Sequence, residues 1–278
     1  MDDLPLETFE PVAGVHPGTV LDRHPDGRSV ALQLFLGPDE RAGVWDADTG
    51  HLIWWPHATY ALCWTADGRH IYVLRRDYDP EPGDPDLESA PLDSGDSYVL
   101  ECRTWPERRV VGACEVAVPE GWVDRVVLAP RDDLAAIRWI EQDCAGFVLV
   151  ALDGDRDHQL PDAGYRTAPN GINGPVFSPD GWFLALSCGK ALWWWTDPDE
   201  DPETPAAEGR YELGHVAIYD VARGTVRDVS IEAHVPAGWL PADPADIDCE
   251  LLGAPRFIAP TEFVVTLPTG EERQFRTE

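Results

Sequence analysis

Five times along this chain an apolar strand runs into a tight turn of Pro, Asp and Gly type and returns as a second β-rich strand. The segments are VLDRHPDGRSVALQLFL from Val20, ALCWTADGRHIYVLRRD from Ala61, RVVLAPRDDLAAIRWIE from Arg125, GPVFSPDGWFLALSCGK from Gly174 and APRFIAPTEFVVTLPTG from Ala254. Turn residues of this kind supply the φ angles that a strand reversal needs, so each segment is expected to be an antiparallel hairpin. Four of the hairpins are followed by a second strand pair with its own turn: AGVWDADTGHLIWW, SYVLECRTWPERRVVGACEV, GFVLVALDGDRDHQL and HVAIYDVARGTVRDVSI. The repeating unit is a four-stranded antiparallel meander.

Anchored on the first turn of each unit (Asp26, Asp67, Arg131, Asp180, Pro260), the spacings are 41, 64, 49 and 80 residues. The basic period lies in the low forties, and four-stranded units repeating every 40 to 45 residues or so build a β-propeller. The expectation is an all-β, single-domain chain of five four-stranded blades. The last unit is short of a strand, and the segment LETFEPVAG at residues 6–14 is expected to supply it, because closure removes exposed sheet edges. Six blades result if residues 232–252 hold a degenerate unit.

The segments FSPDGWFLALS, WTADGRHIYVL, GVWDADTGHLIWW and AIYDVARGTVRDV resemble the repeats of WD40-like and TolB-like β-propellers. The resemblance extends over nearly the whole chain and implies the fold. It implies no single activity, since propellers host many. Trp45-Asp46 is the one literal WD dipeptide, and Gly214-His215 is expected to fall just before the third strand of its unit.

The long spacings contain three insertions, at 77–97, 197–210 and 232–250. In a four-stranded blade all three would project from the face that carries the second-to-third strand loops and the blade-to-blade connections, here called the top. They hold 8 acids and no bases, 6 acids and one base, and 5 acids and no bases. The formal charge of the chain is −30, so much of its acidity is concentrated there. Such a surface repels phosphate backbones and anionic membranes and attracts cationic partners. A noncatalytic scaffold that binds a basic protein or peptide on an acidic top face is the leading expectation, as a monomer with no cofactor. The acidic loops also leave divalent-cation binding open.

The opening MDDLPLETFEPVAG lacks the basic and apolar regions of a signal peptide, and no apolar run reaches the length of a membrane span. A cytoplasmic, bacterial protein is expected, with arginine heavily favoured over the single lysine, Lys190. The six cysteines show no metal-type spacing and read as small buried hydrophobes.

Trp193, Trp194 and Trp195 end a strand after an expected bulge at Gly189-Lys190. Both faces of a blade are covered, so the triplet reads first as core. Trp195 with Trp239 could still form an aromatic shelf over the channel. No nucleophile elbow, phosphate loop, HExxH or EF-hand loop occurs. An enzyme or a binder of a small carbohydrate-like ligand would use the channel mouth, where the innermost strands are expected to begin with Asp22, Tyr60, Asp124, Arg125, Asn173 and Arg256.

Overall fold

A computed structural model describes residues 16–36, 39–55, 59–76, 97–118, 122–140, 144–153, 157–167, 172–189, 209–235, 252–267 and 269–277. Segment 6–14, the tryptophan triplet, Trp239, Cys249 and almost all of the three insertions lie outside these residues. Every regular element among the described residues is a β-strand.

The strands form five antiparallel meanders. The first sheet is β1 (His16–Arg23), β2 (Ser29–Leu36), β3 (Asp39–Asp46) and β4 (His51–Trp54). The second is β5 (Thr59–Trp64), β6 (His70–Arg76), β7 (Ser97–Thr104) and β8 (Val110–Ala117). The third is β9 (Trp122–Leu128), β10 (Leu134–Ile140), β11 (Ala145–Ala151) and β12 (His158–Thr167), and the fourth is β13 (Ile172–Phe177), β14 (Phe183–Gly189), β15 (Gly209–Asp220) and β16 (Thr225–Val235). The fifth has three strands among the described residues, β17 (Arg256–Ala259), β18 (Glu262–Thr266) and β19 (Glu272–Arg276). These sheets are the blades of a β-propeller, as the repeat implied. By compactness the chain divides into Met1–Ile140 with Val148–Asp162, and Glu141–Phe147 with Ala163–Glu278.

Burial explains why inner and outer strands differ in sequence. The third strand AGFVLVA is buried at six successive positions, because each of its faces meets other chain. The outermost strand VVGACEVA of the second sheet instead alternates toward its end, covering Cys114 and Val116 while exposing Glu115 and Ala117. In the first unit, Ala31, Val44, Leu62, Trp64, Ile71 and Val73 form one apolar cluster between the first two sheets. In the second, Leu213, Val216, Ile231, Phe263 and Val265 do the same for the fourth and fifth. Cys63, Cys102, Cys114, Cys144 and Cys188 are buried free thiols.

The first turns of the first, second and fourth sheets repeat one device. Asp26, Asp67 and Asp180 accept a backbone N–H two residues ahead, from Arg28 (2.8 Å), Arg69 (2.9 Å) and Trp182 (3.2 Å). The next residue takes a positive φ, and it is Gly27, Gly68 or Gly181. In the third sheet Asp132 holds that position at φ 56°, a conformation that Asp tolerates better than most residues. Gly68 has a second constraint: a Cβ there would sit 2.5 Å from His24 Nε2, and that ring pairs with the Gly68 carbonyl at 2.9 Å. His24, Trp64 and Trp105 pack together there, with Trp64 edge-on to each of the other two.

Each innermost strand carries an irregularity that sequence reading misses. The ladders step past Leu21 in β1, Tyr60 in β5, Asp124 in β9, Gly174-Pro175 in β13 and Ile258 in β17. An extra residue bends and twists a strand. In the fourth sheet Gly189 pairs regularly with Gly214, Lys190 of the expected Gly189-Lys190 bulge lies outside the described residues, and a shift falls on the facing strand between Glu212 and Gly214. Gly214-His215 lies inside β15 rather than before it. The β15–β16 hairpin also takes up Gly209-Arg210 and Glu232 to Val235, so two insertions are shorter than the sequence suggests.

Candidate functional site

Of the residues expected at a channel mouth, Asp22 and Asn173 hold neighbouring backbone in place. Asp22 lies one residue from the end of β1, beside the first turn, and not at the strand's start. Its carboxylate accepts the backbone N–H of Trp64 at 2.7 Å and of Arg23 at 2.8 Å, tying the innermost strands of the first two sheets together. Burial raises its pKa above the ordinary aspartate value, and the two N–H donors offset part of that rise. Tyr60 packs edge-on against Tyr98. Asp124 is the bulged residue of β9, its side chain outside the described set, and Arg125 sits opposite Arg138 in the ladder. Asn173 donates to the Leu252 carbonyl at 2.7 Å, and Ser187 to that of Gly253 at 2.8 Å, which fixes the approach to β17. Arg256 pairs with Glu272 at 2.8 Å across its own sheet.

Asp22 therefore acts as a hydrogen-bond acceptor. Asp22→Ala leaves two backbone donors without their partner and is expected to cost about 1–3 kcal/mol. Asp22→Asn keeps one of the two acceptor oxygens, turns an amide NH2 toward the other donor and sheds a buried charge, so it should cost less than the alanine variant. Because the folded pKa is raised, protonation of Asp22 favours the fold; that contribution is present at low pH and lost as pH rises through the folded value. Urea unfolding of both variants at pH 7 checks this, and equal losses would refute the acceptor role.

Outer strands are tied similarly. The Gln159 side-chain amide on β12 accepts from Ala117 N–H (2.8 Å) and donates to its carbonyl (2.9 Å), matching the edge of β8 as a strand would. In the second unit the Tyr165 hydroxyl contacts His215 Nε2 at 3.0 Å and donates to Asp228 at 2.9 Å. Within the Trp45-Asp46 dipeptide, Asp46 accepts from Asp48 and Thr49 N–H in its own turn.

A hollow of about 450 Å³ opens at the turn end of the second and third sheets, within the first unit. Thr65, Asp67, His70 and Tyr72 line it from the β5–β6 hairpin, Cys102 and Val111 from β7 and β8, and Asp132 and Leu152 from the third sheet. The Asp132 carboxylate accepts the Ala66 N–H through both oxygens, at 3.1 and 3.0 Å, joining the two first turns. Burial raises the Asp132 pKa, with repulsion from Asp67 and Asp133 adding to it. Backbone N–H of Arg69 and the Thr65 hydroxyl hold that of Asp67 down. Burial pushes the Cys102 thiol up despite its contact with Tyr72, and Asp157 reinforces the rise. Cys114 is pushed to about 12 by burial and Asp157. These thiols stay protonated near neutrality, so they are not poised as nucleophiles. Among the described residues no three His, Cys, Asp or Glu side chains are arranged to hold a metal ion. The sequence signalled only the turn acids of this hollow, because its walls come from two sheets.

No known family and no curated protein matches the chain. Among solved structures it is similar to the Cps50 (Swd1) β-propeller domain of Myceliophteria thermophila, at 13% identity and TM-score 0.49, covering 94% of this chain and 65% of that one. It is similar to TolB from Acinetobacter baumannii at 11% identity and TM-score 0.44, covering 81% and 45%. A third is the β-propeller domain of the trilobed protease from Pyrococcus furiosus, at 13% identity and TM-score 0.43, covering 90% and 62%. The chain thus spans less than two thirds of each of these. Likeness at this level concerns the fold alone.

Proposed function

We propose that this chain is a noncatalytic interaction module that binds a basic protein or peptide at the strand ends bearing its acidic insertions. One observation carries the reading. In the second unit β14 ends at Gly189, β15 starts at Gly209 and β16 ends at Val235, so segments 190–208 and 236–251 both leave from the same end of the fourth sheet. Segment 190–208 holds six acids and one base, Lys190, and segment 236–251 holds four acids and no base. In the first unit, segment 77–96 leaves from the β6 and β7 ends away from the turns, with eight acids. Like charge gathered at one end of a sheet draws a cationic partner and speeds its encounter.

The test is fluorescence anisotropy with a labelled lysine-rich peptide at low and moderate salt. Neutralising Asp197, Asp199, Glu200, Asp201 and Glu203 to their amides is expected to weaken binding about tenfold or more, and added salt should weaken the parent likewise. Binding that is unchanged by both would reject the proposal.

A further inference from the structure

The hollow at the turn end of the second and third sheets pairs an apolar floor with a carboxylate rim. Tyr72 is 4% exposed and Leu152 7%, whereas Val111 on β8 is 43% exposed and stands at the open side. The rim carries Asp67 and Asp132, one from each sheet's first turn, and each is already held by donors of the turns themselves. Their positions therefore do not depend on a ligand. Asp67 Oδ2 faces the Arg69 guanidinium at a loose 3.7 Å, and that arginine is 81% exposed. Arg131 is turned to Asp133 at 3.0 Å. Besides Asp67, the charges acting on Asp132 are Asp133, which repels it, and His70, which attracts it. Asp157 adds negative charge near Tyr72 and Cys102.

We propose that this hollow binds an arginine side chain presented by a partner chain, its methylenes on Leu152 and Val111 and its guanidinium engaging Asp67 and Asp132. A guanidinium suits two carboxylates on separate turns better than an ammonium does. Its planar fork offers five donors in different directions, it is less strongly hydrated, and its face can lie on an aromatic ring such as Tyr72. The long apolar stem matches the floor. This site goes beyond the function proposed above: it lies at the opposite end of β6 and β7 from segment 77–96, and it would read one side chain rather than a diffuse charge.

The experiment is an amide NMR titration of the full chain with N-acetyl-arginine N-methylamide, with the leucine analogue as control. Saturable shifts at Ala66, Asp67, Arg69 and Asp132 are expected with arginine and not with leucine. The double variant Asp67→Asn/Asp132→Asn should weaken binding by about tenfold or more, while its amide oxygens still accept the turn N–H groups. Val111→Trp, at a position already exposed, should block the open side without altering either carboxylate. Absence of saturable shifts at the hollow, equal shifts from leucine, or parent-like binding by Val111→Trp would overturn the proposal. Should the double variant not fold, Val111→Trp decides. In the parent chain, absence of arginine binding while the lysine-rich peptide still binds rejects the hollow alone, and the converse rejects only the acidic ends.

Discussion

Gly214→Ala is expected to destabilise the chain by about 3–5 kcal/mol, a large share of the 5–15 kcal/mol by which a typical domain is stable. Gly214 has φ +145°, and a Cβ there would lie 2.0 Å from the Cys188 carbonyl oxygen and 3.0 Å from Gly189 Cα. Those are backbone atoms of the paired strand, with no flexible tip to swing aside. β14 and β15 would have to part beside the bulge, where Leu213, Val216 and Ile231 are buried. The matched control is Gly224→Ala, at φ +63°, where a Cβ meets only the Tyr219 hydroxyl at 3.7 Å. There the cost is conformational strain alone, about 1–2 kcal/mol. Urea unfolding followed by tryptophan fluorescence measures both. Equal losses would mean that close strand approach is not what Gly214 provides.

Glu101→Ala is expected to cost about 2–4 kcal/mol at neutral pH, with a pH dependence that identifies the cause. Glu101 on β7 is 6% exposed. It accepts from Arg75 Nε at 2.8 Å and from Arg103 Nε at 2.8 Å, with Arg103 Nη2 close by. Arg103 also lies over the Trp55 ring, 5.6 Å from its centre, and Arg108 lies 6.0 Å from it. Losing the carboxylate leaves two partly covered guanidinium groups facing each other. Burial alone would raise the Glu101 pKa, but hydrogen bonds and charge from Arg75 and Arg103 outweigh it and hold it below the ordinary value. The unfolded chain then binds the proton more readily than the folded one. The stabilisation is complete above the ordinary glutamate range, about 4.3, and is lost as pH falls through the folded value. The stability gap between parent and variant should therefore be full near pH 7 and narrow below about pH 4. A gap that is constant across this range would assign the loss to packing instead of charge.

The hairpins were legible because their signals are local. An Asp-Gly pair presets one reversal whatever surrounds it, and a run such as FVLVA announces a strand covered on both faces. Even Asp132, which lacks the glycine, reads as a turn from its PRDD context. The bulges at Tyr60 and Asp124 were not legible, since an extra residue exists only relative to the strand it faces. Asp22 shows the same division: its polarity stood out in an apolar strand and suggested a mouth, while its partner, the Trp64 backbone, lies 42 positions away. A buried carboxylate holding a distant N–H looks identical in sequence to one awaiting a substrate.

By itself, then, the sequence determined the all-β class, the four-stranded unit and the places of the turns, because periodicity and turn chemistry act over a few residues or repeat along the whole chain. Only the tertiary structure decided that Asp22 and Asn173 brace strands, that Gly214 lies against a carbonyl, and that Asp67 and Asp132 share a hollow. Each of these depends on which atoms of distant segments come within a few ångströms, and that distance is set by the packing of one sheet on the next.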